Sequence, residues 1–117
     1  MLSILIPTYN YLCAGLVCDL HQQAERLGID YEILVADDGS QESFKVKNRI
    51  INKLPHCKYI ELEENIGRSR IRNLLGRTAQ YDYLLFMDCD AEVVNRDFIA
   101  KYIAAQNRGK VVYGGLL

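Results

Sequence analysis

Residues 83–93, YLLFMDCDAEV, decide the fold of this chain. The segment begins with five apolar or aromatic residues, which is typical of a short strand that is buried on both faces. It then changes within one residue to two carboxylates, Asp88 and Asp90, on either side of Cys89. Strands that are apolar on both faces belong to parallel sheets covered by helices on both sides. The segment therefore predicts such a sheet, with acidic side chains at the carboxyl end of one strand.

The rest of the chain alternates short apolar runs with segments of helical period. The apolar runs predict strands at residues 2–6, 31–36, 57–62, 83–87 and 110–113. The segments of helical period predict helices at residues 12–27, 42–54, 68–79 and 96–107. This alternation predicts an α/β fold of three layers with a mainly parallel sheet. Right-handed crossovers bring the carboxyl ends of parallel strands to one edge, and ligands of open α/β sheets bind there.

The composition excludes several classes of function. The 117 residues suit one domain, and 14 Lys plus Arg against 15 Asp plus Glu leave no gross charge to attract nucleic acid or a membrane surface. Every apolar run is far shorter than the ~20 residues of a membrane-spanning helix. Without a basic amino-terminal region and cleavage site, we expect a cytoplasmic protein. The four cysteines lack the paired spacings of a zinc site and are expected to be reduced thiols.

Asp88 and Asp90 are candidate ligands of a divalent cation. In extended backbone, residues i and i+2 project to the same side about 6–7 Å apart, so both carboxylates can face one ligand. Mg²⁺ and Mn²⁺ commonly take one or two carboxylates and leave other positions to substrate phosphates and water. Without a cation, like charges ~4 Å apart repel by ~4 kcal/mol at an effective dielectric near 20. The alternative is a solvated turn or a helix N-cap, where Asp is also common.

Two other strand ends carry polar groups to the same predicted edge. In IPTYN, Pro7 is expected to end the first strand, and Tyr9 lies where its ring can stack on a planar base. In ADDGS, the carboxylates of Asp37 and Asp38 can accept a hydrogen bond from the imide N–H of uracil or the amino group of another base. The alternative is ordinary turn chemistry, with Ser40 or Ser43 as a cap of the helix that starts near Glu42.

The segment NIGRSRIRN places three arginines, Arg68, Arg70 and Arg72, at the start of a predicted helix. A helix amino terminus favours anions, and Arg68 and Arg72 lie on one helical face because they are four residues apart. Guanidinium groups in this position suit a phosphate. The alternatives are a solvated basic face or a nucleic-acid patch, but three arginines in a nearly neutral chain are a poor footprint for a long polyanion.

The segments SILIPTYN, EILVADDGS, ENIGRSRIRNLLG and YLLFMDCDAEV occur together in the order and spacing of a known family. From Leu2 to about Gly115, the chain resembles the nucleotide-binding half of GT-A fold glycosyltransferases of the inverting family two. The resemblance implies a Rossmann-like fold and the transfer of a sugar from a nucleoside-diphospho-sugar, usually a UDP-sugar, to an acceptor that the sequence does not identify. It also implies metal assistance by Mn²⁺ or Mg²⁺.

The resemblance implies roles for the candidate residues on the base side of the substrate. Pro7, Thr8 and Tyr9 would line the base pocket, and Asp38 would contact the base.

The resemblance also implies roles for candidate residues on the phosphate side of the substrate. Arg72, at the arginine of the family's ARN element, would reach the diphosphate, and Asp88 would bind the ribose side or the metal. Asp90 would hold the cation that bridges the diphosphate. The chain departs from the family in reading IRNLLG, so that Ile71 replaces a small residue and the glycine comes one position late.

Family members continue beyond a segment like KVVYGG with an acceptor site and a catalytic carboxylate. We therefore expect residues 1–117 to be the nucleotide-sugar-binding half of a longer transferase, truncated at the carboxyl terminus, in which the catalytic residue is unknown. Three alternatives are a receiver-like signalling domain that binds Mg²⁺, a sugar nucleotidyltransferase and a non-catalytic nucleotide-binding fragment. The nucleotidyltransferase would carry a glycine-rich basic loop after strand one, which PTYNYLCAG is not.

Overall fold

The computed structural model describes residues 1–91 and 97–106. Within them lie β1 (Leu2–Thr8), α1 (Ala14–Leu27), β2 (Tyr31–Asp37), α2 (Glu42–Asn48), β3 (Cys57–Glu61), α3 (Arg68–Thr78), β4 (Tyr83–Phe86) and α4 (Phe98–Gln106). A short 3-10 helix, Arg49–Lys53, directly follows α2. The predicted strand at residues 110–113 lies outside the described residues.

The four described strands form one parallel sheet in the order β3-β2-β1-β4. The two central strands pair over seven positions, from Leu2 with Tyr31 to Thr8 with Asp37. Because all described strands run in one direction, Thr8 and Asp37 end at the same edge of the sheet as the carboxyl end of β4. The prediction of an α/β fold with a parallel sheet is confirmed.

Alternating side chains of the central strands build two hydrophobic layers. On one face, residues such as Ile4 and Ile33 pack with α1 and α4. On the other face, Leu5 and Leu34 pack with Ile71 of α3. This alternation follows from the two-residue period of a strand, and it gives the predicted three-layer arrangement.

Pro7 does not end the first strand, contrary to the prediction from sequence. β1 continues to Thr8, and Pro7 pairs with Ala36 of β2. The strand can continue through Pro7 because the pairing of β1 with β4 ends before it. Leu5 accepts a hydrogen bond of 3.0 Å from the N–H of Met87, and the ladder between β1 and β4 extends no further. The backbone nitrogen of Pro7, two residues later, also faces the β4 side. It lies beyond the end of that ladder, so the missing N–H of proline costs no hydrogen bond.

The helix predicted at residues 42–54 is shorter than expected. α2 ends at Asn48, and the chain tightens into the 3-10 helix before Leu54 takes an extended conformation. Pro55 follows, and the residue before a proline is biased away from helical dihedrals. None of the helices within residues 1–91 and 97–106 has the length and apolar character needed to cross a bilayer.

Candidate functional site

A cleft of about 300 Å³ opens at the carboxyl edge of the sheet. It brings together predicted site residues from three strand ends, namely Pro7, Thr8, Tyr9, Asp38, Asp88 and Asp90. Tyr11, Arg68, Ile71 and Cys89 also line it. The chain thus places most of the predicted site residues around one cavity, because parallel strands end at a common edge.

Asp88 and Asp90 reach the cleft from a turn. β4 ends at Phe86, and the N–H of Ala91 donates a 3.1 Å hydrogen bond to the carbonyl of Asp88. The expectation of extended backbone through these residues is therefore wrong. Both acids nevertheless line the same cleft, with Asp88 half-buried and Asp90 exposed.

The two carboxylates fit a hard divalent cation. Their oxygens are the ligand type that Mg²⁺ and Mn²⁺ prefer. Among residues 1–91 and 97–106, no three His, Cys, Asp or Glu side chains come together as a metal-binding set. A cation held by this pair would be one that takes one or two protein carboxylates and completes its coordination with substrate oxygens and water.

Asp38 holds the amino terminus of α3 as well as lining the cleft. One carboxylate oxygen accepts a 2.6 Å hydrogen bond from the N–H of Ile66, and the other accepts one of 3.1 Å from the N–H of Gly67. The residue is only 6% exposed. Each oxygen keeps a second lone pair, so the group can still accept a hydrogen bond from a ligand. Sequence reasoning did not find the contact with α3, because the partners lie 28 and 29 residues away.

Asp37, the neighbouring acid, is fully buried and structural. It accepts a 2.7 Å hydrogen bond from the N–H of Ser40 and another from the hydroxyl of Tyr59. Burial, followed by this contact with the carboxylate, raises the pKa of Tyr59. The tyrosine therefore stays protonated and donates to Asp37 at all moderate pH values.

The arginines of α3 occupy different environments. Arg68, the first residue of the helix, lines the cleft. Arg72 is half-buried one turn later, with its guanidinium carbon 5.0 Å from the centroid of the Phe86 ring. A guanidinium over an aromatic face makes a favourable cation–π contact. The sequence already indicates Arg68 as one of three arginines at the start of this helix.

Thr8 contributes a buried hydroxyl to the cleft wall. Its Oγ1 is buried, and the thiols of Cys13 and Cys89 are weak hydrogen-bonding groups beside it. Two thiols lie in this region, and burial is the main cause that raises the pKa of Cys13 to about 12 and also raises the pKa of Cys89. Thiols with a raised pKa are poor nucleophiles at neutral pH, so cysteine chemistry is disfavoured here.

Comparison with known proteins decides the family. The family pattern described as Glycosyl transferase family 2 matches residues 3–116. The chain belongs to glycosyl transferase family 2. The resemblance identified from four sequence segments is thereby confirmed, and with it the assignment to an enzyme family. Membership does not support the receiver-like and nucleotidyltransferase alternatives.

Relatives of this family 2 domain include the chondroitin synthase of Escherichia coli, which is 39% identical over 93 residues. That match covers 76% of this chain and 13% of the synthase. The family 2 domain therefore spans a small part of the length of this relative.

Two solved structures share the fold. Staphylococcus aureus TarS 1–349 in complex with UDP-GlcNAc is 26% identical with a TM-score of 0.68, and the match covers 92% of this chain and 31% of TarS. The mannosyltransferase PcManGT from Pyrobaculum calidifontis is 22% identical with a TM-score of 0.68, and the match covers 87% of this chain and 31% of that enzyme. These likenesses confirm the GT-A fold.

Proposed function

We propose that this family 2 domain binds a nucleoside-diphospho-sugar, namely a UDP-sugar, for transfer of the sugar to an acceptor. One observation carries the proposal: an aromatic side chain, a hydrogen-bond acceptor and two carboxylates line one cleft at the carboxyl edge of the sheet. These groups match, in turn, a base, its N–H donor and a metal-bound diphosphate. The complex of TarS with UDP-GlcNAc supports uracil as the base.

Tyr9 and Asp38 form the proposed base end of the cleft. The ring of Tyr9 is 53% exposed and free to stack on a base, a contact of about 1–3 kcal/mol in nucleic-acid proteins. The lone pairs of Asp38 that α3 leaves unused would accept from the imide N–H of uracil. Pro7 and Thr8, which both line the cleft, would close this pocket from β1.

Asp88 and Asp90 form the proposed phosphate end and would hold Mn²⁺ or Mg²⁺. A bound divalent cation supplies Lewis acidity and neutralises charge on the departing nucleoside diphosphate. The family resemblance implies Arg72 as the diphosphate contact, although its guanidinium lies over the Phe86 ring and the residue does not line the cleft. The position of Arg68 on the cleft wall supports it as a second contact, because a guanidinium at a helix start binds phosphate well.

We propose that residues 1–117 are the donor-binding half of a longer transferase, and that the acceptor site and catalytic base belong to another part of it. The polar cleft residues support this, since Asp38, Asp88 and Asp90 are accounted for by the nucleotide, the diphosphate or the cation. A cytoplasmic location is part of the proposal, and the free thiols of Cys13, Cys18, Cys57 and Cys89 are consistent with a reducing compartment.

Calorimetric titration of the chain with UDP tests the proposal. We expect UDP to bind at least tenfold more tightly with Mn²⁺ than without it, about 1.4 kcal/mol, because the cation joins the acids to the diphosphate. Asp90→Ala should abolish this metal dependence. Asp82→Ala, at an exposed acid outside the cleft, is the matched control and should keep it. Equal affinity with and without Mn²⁺ would refute the metal-assisted site, and no UDP binding would refute the nucleotide site itself.

A further inference from the structure

Residues 9–13, here called the tyrosine loop, connect β1 to α1 and place Tyr9 and Tyr11 on the cleft wall. Both residues are about half exposed, at 53% and 43%, so packing of the rings fixes their positions only in part. The way the backbone of the loop is held therefore contributes to the positions of the two rings.

Asn48 of α2 holds the second half of the loop. Its side-chain oxygen accepts a 3.0 Å hydrogen bond from the N–H of Cys13, and its side-chain nitrogen donates one of 2.8 Å to the carbonyl of Tyr11. Asn48 is fully buried, although it stands at the end of a surface helix. A buried amide whose oxygen and nitrogen both bind the backbone of one loop acts as a clamp for that loop.

Asn10 and the turn after β2 hold the first half. Asn10 has a φ of +48°, a conformation that Asn tolerates better than most residues. Its N–H donates a 2.7 Å hydrogen bond to the hydroxyl of Ser40, and its side-chain oxygen accepts one of 2.8 Å from the N–H of Gln41. Ser40, expected from the sequence as a helix cap, thus binds the tyrosine loop, and α2 has no side-chain cap.

We propose that Asn48 is a positioning residue that orders the tyrosine loop, so that Tyr9 and Tyr11 are set for the nucleotide base before it binds. Asn10 assists from the other end of the loop. An ordered loop loses less conformational freedom on binding, and this raises affinity for the part of the ligand that the loop contacts. The proposal rests on the proposed function for its ligand but not for the order of the loop.

Two probes separate positioning from general stability. UDP carries a base, whereas inorganic pyrophosphate with Mn²⁺ occupies only the phosphate end. Asn48→Asp keeps the volume and the acceptor for Cys13, but it opposes a carboxylate oxygen to the carbonyl of Tyr11. We expect its Kd for UDP to rise roughly tenfold while its Kd for Mn²⁺-pyrophosphate stays within about twofold of the parent value.

Two further variants keep the test decisive. Asn10→Gly accepts the positive φ, removes the side-chain tie to Gln41 and adds backbone freedom. Both changes loosen the loop, so this variant should show the same selective loss if Asn48→Asp fails to fold. Glu32→Gln is the control, because Glu32 is a buried polar residue that accepts hydrogen bonds from Ser3 and Gln80, at the opposite edge of the sheet. It should leave both Kd values unchanged. Unchanged UDP affinity in both loop variants, parallel loss for both probes, or the same selective loss in Glu32→Gln would overturn the proposal.

A readout without nucleotide separates this inference from the proposed function. With ¹³C-labelled tyrosine rings, NMR should show the signals of Tyr9 and Tyr11 shifted and broadened in Asn48→Asp. The signal of Tyr83, exposed at the start of β4, should stay unchanged. If the parent chain failed to bind UDP, the proposed function would fall, and changed ring signals would still establish that Asn48 orders the loop. Unchanged ring signals would overturn that role.

Discussion

At the scale of single residues, two adjacent acids differ because their side chains leave the end of β2 in opposite directions. Asp37 binds Tyr59 in the hydrophobic layer on the α1 face, whereas Asp38 binds backbone N–H groups at the start of α3 on the other face. This follows from the alternation of side chains along extended backbone. Of these two acids, only Asp38 therefore lines the cleft. Its hydrogen bonds to the start of α3 help to hold it there.

Asp38→Asn should destabilise the fold. Both carboxylate oxygens accept from backbone N–H donors, and an amide presents one oxygen and one N–H₂ group, so two donors would face each other. We expect the free energy of unfolding to fall by about 1–3 kcal/mol. Urea denaturation measures it, with exposed Asp82→Asn as the control. Equal stability of Asp38→Asn and the parent chain would show that these hydrogen bonds contribute nothing.

At the scale of elements, the turn between β2 and α2 packs directly against the loop that precedes α3. Gly39 in this turn has a φ of +79°. A Cβ atom there would lie 2.7 Å from the N of Asn65 and 2.8 Å from the carbonyl carbon of Glu64. Both are backbone atoms, which cannot move aside as a flexible side chain can. The close approach of these two segments thus requires glycine.

Gly39→Ala and Gly28→Ala form a matched pair of variants. Gly28 ends α1 with a φ of +66°, and a methyl group added there would meet open space, so its change adds only the left-handed backbone strain of about 1–2 kcal/mol. Gly39→Ala adds a backbone clash, and we expect at least about 2 kcal/mol of further destabilisation. Urea unfolding of the two variants measures the difference. Equal losses would mean that the two segments separate without cost.

At the scale of the whole molecule, the hydrophobic layer on the α1 face contains buried groups that ionise at high pH. Burial is the main cause that raises the pKa of Cys13 and of Cys57 from 9.0 to about 12. The fold therefore favours the neutral thiols. Their contribution to stability is fully present below the unfolded pKa near 9, and it is lost as the pH rises from there toward the folded pKa near 12.

We expect the free energy of unfolding to be lower at pH 10 than at pH 8 by roughly 1 kcal/mol for each of these thiols. Urea denaturation at the two pH values measures the difference. Cys57→Ala should reduce the difference, because it removes one of the two buried thiols. A stability that stays constant between pH 8 and pH 10 would contradict the burial of neutral thiols in this layer.

The order of strands and helices, the layer arrangement and the edge that carries the cleft were determined by the sequence alone. These properties follow from local hydrophobic period and from the rule that parallel strands end at one edge, which short segments such as YLLFM already express. The family could be read for the same reason, since its four segments mark the ends of strands. Boundaries were less accurate, as at Pro7 and at the end of α2.

Only the tertiary structure decided which side chains share the cleft and what each one contacts. Arg68 rather than Arg72 lines the cleft, although both lie on one helix face in sequence, and Arg72 lies over the Phe86 ring instead. Asn48 reaches the tyrosine loop across 37 residues of sequence. Such contacts depend on how helices lie over the sheet, and the period of a segment says nothing about partners that far along the chain.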